Sequence, residues 1–270
     1  MEEKIRSQYS SEVLDEAVRR FEIPPESVRD LGGFESFVYE CQHHGKPRIL
    51  RITHCLHRDI GQICAEIDWI SYLAENGVGV CAPVFSNERY SEMIGPDDSY
   101  FVATLFEKAV GQPARDGLWA PPVFEKMGRM MGQMHALTKR YKPPHEIFRR
   151  PHWDKDVEGI AQKYLPADQT LVAEKFESLA AEIRQLPRDE DTYGLVHIDF
   201  HRGNFLVDGD QIHLFDFDDC QYSWFADDIA IALFYAVPYI CESAKDLEFA
   251  REFLRRFLDG YHQENDLDSE

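Results

Sequence analysis

The stretch His197-Ile198-Asp199-Phe200-His201-Arg202-Gly203-Asn204, followed twelve positions after Asn204 by Asp216-Phe217-Asp218, constrains this chain more than any other feature. Two short apolar runs, Phe205 to Val207 and Ile212 to Phe215, fill the interval and read as strands. The pattern is an aspartate, an amide five positions on, and a second aspartate at the end of a following strand. Its chemistry is specific. One carboxylate can accept or orient the proton of an attacking hydroxyl, while an amide oxygen and a second carboxylate can hold a hard divalent cation against phosphate oxygens.

Composition limits what surrounds this pattern. The 270 residues suffice for one large domain or two modest ones, and with 44% apolar residues they can bury a core. Against 29 basic residues stand 49 acidic ones, a net charge of −20. That excludes a generalist nucleic-acid binder, which needs a basic face to release counterions. Anionic substrates remain open to it, because a metal or a few placed cations override the global field locally. Met1 to Arg20 contains no apolar block, so no signal peptide is expected. The longest apolar run, Ile229 to Val237, ends at Pro238 and is too short to cross a bilayer; it reads as a buried helix. Cys41, Cys55, Cys64, Cys81, Cys220 and Cys241 lack zinc-ligand spacing, and reduced thiols in a cytoplasmic protein are expected.

The expected organisation has a seam. Ser11 to Phe21 reads as a short amphipathic helix ended by Pro24 and Pro25. Phe37 to Cys41 and Ile49 to Thr53 read as strands around a turn at His43-His44-Gly45-Lys46. Ile60, Ile63, Ile67, Ile70 and Leu73 recur at helical spacing within a helix over Arg58 to Glu75, closed by Asn76-Gly77. Val84 to Tyr90 and Tyr100 to Phe106 read as further strands. Beyond Lys108, helices are expected over Phe124 to Arg140, Gln169 to Gln185, Asp227 to Ala236 and Leu247 to Leu258, and a frayed acidic tail from His262. The chain thus divides into a strand-rich part, residues 1–106, and a mainly helical part, residues 107–270.

Upstream residues fit the same chemistry. In Leu31-Gly32-Gly33-Phe34-Glu35-Ser36-Phe37, a small permissive loop before a strand lets backbone donors approach phosphate oxygens. Arg51 lies between Leu50 and Ile52, and strand alternation turns it to the same face as Ile49. A cation so embedded needs a partner. Glu66 falls within the apolar stripe of its helix, where a carboxylate should be paired.

With these residues in view, the chain resembles the aminoglycoside phosphotransferase/choline kinase family, small-molecule kinases of α+β, protein-kinase-like bilobal fold. The resemblance runs from about Leu31 to Tyr235. It implies a small antiparallel-sheet lobe with one helix for nucleotide binding and a larger, mainly helical lobe for catalysis and substrate. It further implies ATP and magnesium as cofactors and Asp199 as catalytic base. Asn204 and Asp216 become the magnesium ligands, and Arg51 with Glu66 the phosphate clamp. Gly32, Gly33 and Ser36 form the phosphate loop, and Phe106, Glu107 and Lys108 the hinge that hydrogen-bonds adenine. Asp228 corresponds to the aspartate that buttresses the catalytic loop. His197, His201, Asp218 and Asp219 are expected beside substrate or behind the reacting groups.

Two departures qualify the match: an arginine where lysine is usual, whose planar fork contacts phosphate differently, and Asp218 as the third residue of the metal motif, a feature of the small-molecule branch. The expected acceptor is a small hydroxylated amine, amino alcohol, aminoglycoside-like or homoserine-like molecule, with no nucleic-acid or membrane partner. Two other readings stand beside it. One is a nucleotide-binding pseudokinase without turnover; the other is a metal-dependent hydrolase built on His197-x-Asp199-x-His201.

Overall fold

The computed structural model describes residues 3–86, 91–96, 98–155, 157, 159–237 and 243–267. Its helices are α1 (Glu3–Arg6), α2 (Ser11–Arg20), α3 (Ile60–Glu75), α4 (Pro121–Thr138), α5 (Ile160–Tyr164), α6 (Thr170–Ile183), α7 (Phe225–Ala236) and α8 (Ala244–Tyr261). Its strands are β1 (Arg29–Gly32), β2 (Phe37–His43), β3 (Lys46–His54), β4 (Ser91–Ile94), β5 (Phe101–Glu107), β6 (Gln112–Pro113), β7 (Tyr193–Val196), β8 (Phe205–Asp208), β9 (Gln211–Leu214) and β10 (Gln221–Trp224). The chain forms two compact units. One comprises Met1–Trp119, Tyr141–Arg149 and Arg202–Asp218; the other comprises Ala120–Arg140, Arg150–His201 and Asp219–Glu270.

The first unit is built on an antiparallel sheet of order β1-β2-β3-β5-β4. Its central hairpin turns at His44 (φ 49°) and Gly45 (φ 73°), the two left-handed residues that a tight two-residue connection requires. Period-two alternation sorts the side chains. Leu50, Ile52, Ala103 and Leu105 face α2 and pack with Ala17, Val18 and Phe21, whereas Val102 faces α3 and packs with Ile63 and Ile67. Each fully buried aliphatic side chain contributes roughly 1.5–3 kcal/mol. Helix α3 begins in a capping box, Asp59 accepting from the Gln62 N–H at 2.8 Å while Gln62 accepts from Asp59 N–H at 3.2 Å. The small sheet β6-β8-β9 completes this unit.

The second unit centres on α4 and α8, which approach at backbone contact. A Cβ at Gly128 would lie 1.8 Å from the Phe257 carbonyl oxygen, one at Gly132 2.5 Å from that of Tyr261, and one at Gly260 1.9 Å from that of Glu125. Three glycines therefore set the helix spacing. The two-stranded sheet β7-β10 lies beside α4, where Thr138 Oγ1 donates to the Leu195 carbonyl at 2.9 Å.

Three expectations from sequence are amended. A strand occurs at Ser91–Ile94, paired with β5; of the expected strand over 84–90, residues 87–90 lie outside the described residues. The tail after α8 is not simply frayed, since Asn265 is only 9% exposed. Helix α7 starts at Phe225 rather than Asp227. Cys41, Cys81 and Cys220 are buried free thiols, while Cys241 lies outside the described residues. Burial pushes the Cys41 thiol up to about 11 and the Cys81 thiol up to about 12, so both are inert at neutral pH.

Candidate active site

In the first unit, the loop after β1 depends on both glycines. Gly32 has φ 75°, and a Cβ on Gly33 would lie 1.9 Å from the Ser36 carbonyl oxygen. Ser36 is buried, its hydroxyl 2.8 Å from that of Thr53 on β3, which anchors the loop to the sheet. Leu31 and Val38, on either side of this loop, line a cavity of about 310 Å³. Its other apolar walls are Ile49, Ile70, Cys81, Phe106, Leu206 and Phe215; Glu107, Lys108 and Ala109 form one margin, and Arg51, Glu66 and Asp216 add further polar side chains. All three expected hinge residues thus border one cavity. The Glu107 N–H donates to the Ala82 carbonyl at 2.9 Å, and Lys108 Nζ is held by Glu40 Oε1 at 2.5 Å.

Arg51 projects from β3 into this cavity and meets Glu66 of α3 in a two-point pair, Nη1–Oε1 2.8 Å and Nη2–Oε2 2.7 Å. Both are buried, at 7% and 0% exposure. The Phe106 ring lies 4.9 Å from the guanidinium carbon. Burial disfavours the arginine's charge, but Glu66, with Asp218 and Asp216 further off, outweighs it and holds the group above its ordinary value. The Nε of Arg51 is buried with no hydrogen-bond partner among the described residues.

The β8–β9 hairpin brings Asn204 and Asp216 side by side. They flank its two strands, and the Phe215 N–H donates to the Asn204 carbonyl at 2.9 Å. Asp216 has φ 65°, a left-handed conformation uncommon outside glycine that turns the chain sharply after β9. Two positions on, the Asp218 carboxylate is taken up within the protein. Its Oδ2 lies 2.6 Å from His57 Nε2 and 3.4 Å from Arg58 Nη2, and its backbone oxygen accepts from Arg58 Nε at 3.1 Å. His57 Nε2 also lies 3.0 Å from Glu35 Oε2, so it clasps the glycine loop to the Asp216-Phe217-Asp218 segment. Burial pushes Asp218 up, but the His57 hydrogen bond and the charges of Arg51 and Arg58 bring it well below the usual carboxylate range.

The segment from His197 to His201 belongs to the second unit, and its backbone is strained. Ile198 sits at φ 65°, a genuine outlier for a β-branched residue. Asp228, fully buried in the first turn of α7, compensates by accepting the Ile198 N–H at 2.7 Å and the His197 N–H at 3.3 Å. His135 Nε2 reaches the same carboxylate at 3.0 Å. The imidazole of His197 accepts the Asp199 N–H at 3.1 Å, and the His201 N–H donates to the Asp199 carbonyl at 2.8 Å. Asp199 is itself half-buried, its Oδ1 3.5 Å from His201 Nε2. Asp219 is exposed. The groups that sequence reasoning missed are Glu35, His57 and Arg58 around Asp218, and His135, Tyr261 and Asn265 behind Asp228.

Comparison with known proteins gives this geometry its context. The family model described as "Phosphotransferase enzyme family" matches residues 27–267. An amicoumacin kinase of Bacillus subtilis (strain 168) is 39% identical over 96% of this chain and 78% of its own. The solved structure of an amicoumacin kinase in complex with AMP-PNP, Ca2+ and Ami has a TM-score of 0.92 at 36% identity, covering 99% of this chain and 82% of that one. A microcompartment-associated aminopropanol kinase has a TM-score of 0.74 at 22% identity, over 96% and 82%, a likeness of fold. The fold is thus α+β and protein-kinase-like.

The residues present fit a nucleotide and a divalent cation. An apolar cavity suits a purine. The buried Arg51 Nε, lacking a protein partner among the described residues, suits an anionic oxygen. Asn204 and Asp216 are the hard oxygen donors that could hold magnesium. Neither turnover-free nucleotide binding nor metal-dependent hydrolysis is favoured by the relatives found. The chain is an ATP- and magnesium-dependent kinase that phosphorylates a hydroxyl of a small molecule, and it belongs to the phosphotransferase enzyme family.

Proposed function

We propose that the acceptor is a hydroxylated amine of the amicoumacin kind, within a wider class that includes amino alcohols, aminoglycoside-like and homoserine-like molecules. The likeness that carries the reading is the 39% identity to an amicoumacin kinase over 96% of the chain. The excess of acidic residues supports a cationic acceptor, and among the acids near the metal motif Asp219 is exposed whereas Asp218 is committed to His57 and Arg58. Neither nucleic acid nor membrane enters the reading; no described helix is long and apolar enough to cross a bilayer. The buried free thiols support a cytoplasmic location.

In this reading residues 1–106 form the nucleotide-binding lobe and 107–270 the catalytic and substrate-binding lobe. Asp199 orients the acceptor hydroxyl and accepts its proton. Asn204 and Asp216 hold magnesium, which when bound neutralises the charge of the phosphates. Arg51, fixed by Glu66, presents its remaining donors to a phosphate oxygen, and the backbone around Gly32, Gly33 and Ser36 covers the phosphates. Phe106, Glu107 and Lys108 border the base. His197 and Asp228 shape the catalytic loop, while His201 and Asp219 stand on the acceptor side. Catalysis by such groups is positioning and charge neutralisation.

The test is magnesium-dependent ADP release with amicoumacin, aminoglycosides, aminopropanol, choline and homoserine, followed by mass spectrometry of the acceptor. Phosphorylation of a hydroxylated amine is expected. ATP binding without transfer to any of them would overturn the acceptor assignment.

A further inference from the structure

Behind Asp228 a line of buried polar groups leads away from the catalytic loop to the last turn of the fold. Asn265 Nδ2 donates to Tyr261 Oη at 2.7 Å, Tyr261 Oη lies 2.9 Å from His135 Nδ1, and His135 Nε2 lies 3.0 Å from Asp228 Oδ2. Asp228, His135 and Tyr261 are fully buried and Asn265 nearly so. The line exists because α8 can approach α4 so closely. Gly132 lies one turn before His135 and against the Tyr261 backbone, and a side chain there would push α8 and its tyrosine away. The His135 ring is further fixed by stacking on Phe225, centroids 4.4 Å apart and planes 16° from parallel.

Donor counting gives the line a direction. An amide nitrogen only donates, so Tyr261 Oη accepts from Asn265 and gives its own proton to His135 Nδ1. That nitrogen must then be the acceptor, which leaves the ring proton on Nε2, aimed at Asp228. Every group is satisfied with one proton per contact and a neutral imidazole. Reversing the last amide would reverse each bond and require an imidazolium.

We propose that Tyr261 and Asn265 are positioning residues for catalysis. They hold His135 as the neutral Nε2–H tautomer, His135 orients the Asp228 carboxylate, and Asp228 keeps Ile198 in its left-handed conformation, which sets the direction of Asp199. The effect on turnover rests on Asp199 being the catalytic base; the protonation of His135 does not.

The experiment uses the full chain labelled with 15N-histidine. In the wild type, His135 is expected to show a protonated Nε2 and an unprotonated, hydrogen-bonded Nδ1. Asn265→Asp puts an acceptor where the donor stood and is expected to convert His135 to imidazolium at about pH 7. Tyr261→Phe is expected to mix the tautomers and to lower kcat roughly five- to tenfold, with KM for ATP within about twofold. A charged or Nδ1-protonated His135 in the wild type overturns the proposal. So does a neutral Nε2–H imidazole that persists in Asn265→Asp, or a folded Tyr261→Phe enzyme with wild-type kcat. Should Tyr261→Phe fail to fold, the Asn265→Asp spectrum alone decides. Full activity in an Asp199→Asn enzyme would instead refute the base assignment and leave the tautomer result standing.

Discussion

Asp228 accepts the backbone N–H of Ile198 at 2.7 Å and thereby stabilises a β-branched residue at φ 65°. The carboxylate is fully buried and is met by hydrogen bonds from the Ile198 and His197 N–H groups and from His135 Nε2. Asp228→Ala should therefore cost about 3 kcal/mol or more, because it leaves buried donors unsatisfied and a strained turn unsupported. Urea unfolding measures this, and Asp228→Asn, which retains an acceptor, should lose less.

The same residue sets an acid limit. Burial pushes Asp228 up, but the hydrogen bonds it accepts from His135 and from the Ile198 N–H leave it below its ordinary value. A carboxyl lowered by folding stabilises the native state above its unfolded pKa of about 4, and this stability is lost as pH falls through the folded value. Unfolding free energy should therefore decline from about pH 4 downward, with a shallower slope in Asp228→Asn.

Arg51 and Glu66 form a two-point buried pair with Phe106 against the guanidinium. Glu66→Ala strands a buried cation and should destabilise by about 3–5 kcal/mol. Arg51→Lys keeps the charge but loses the planar fork, and should raise KM for ATP by roughly tenfold while lowering the melting temperature. Steady-state kinetics with a thermal melt of each variant separate the two effects.

Gly33→Ala would place a Cβ 1.9 Å from the Ser36 carbonyl oxygen, so the loop must deform. Nucleotide affinity should fall by roughly tenfold or more with little loss of stability, since the loop is exposed. Titration with a fluorescent ATP analogue reads this directly. Gly117→Ala, where nothing lies within 4 Å of the added carbon, is the matched control and should bind like the wild type.

Gly128→Ala tests the packing of α4 against α8. The added carbon would lie 1.8 Å from a backbone oxygen of Phe257. Backbone cannot yield as a flexible side chain can, so a loss of about 2–3 kcal/mol in urea unfolding is expected.

What the sequence revealed of the site is the part where a polar residue breaks a local pattern. Arg51 interrupts an apolar strand and Glu66 an apolar helix stripe, and each announces a buried partner. Asp199, Asn204 and Asp216 lie within eighteen residues of one another, so one loop and one hairpin carry them. The cluster of Glu35, His57 and Asp218 was not legible, because His57 and Asp218 are 161 positions apart and neither breaks a periodicity. Tyr261 and Asn265 were hidden for a different reason. They lie at the end of an amphipathic helix and in the acidic, polar tail beyond it, where composition suggests fraying, and the glycine-spaced approach of α4 and α8 buries them. The two-residue strand β6 is too short to display alternation, and β10 (Gln221–Trp224) lacks the apolar run that marked the equally short β8 and β9.

The assignment of Asp199 as the base is tested most directly by the turnover of Asp199→Asn beside its nucleotide affinity. The account predicts that kcat for acceptor phosphorylation falls by about 10²–10⁴-fold while the Kd for magnesium-ATP stays within about twofold of wild type. An Asp199→Asn enzyme that phosphorylates the acceptor at the wild-type rate would contradict it.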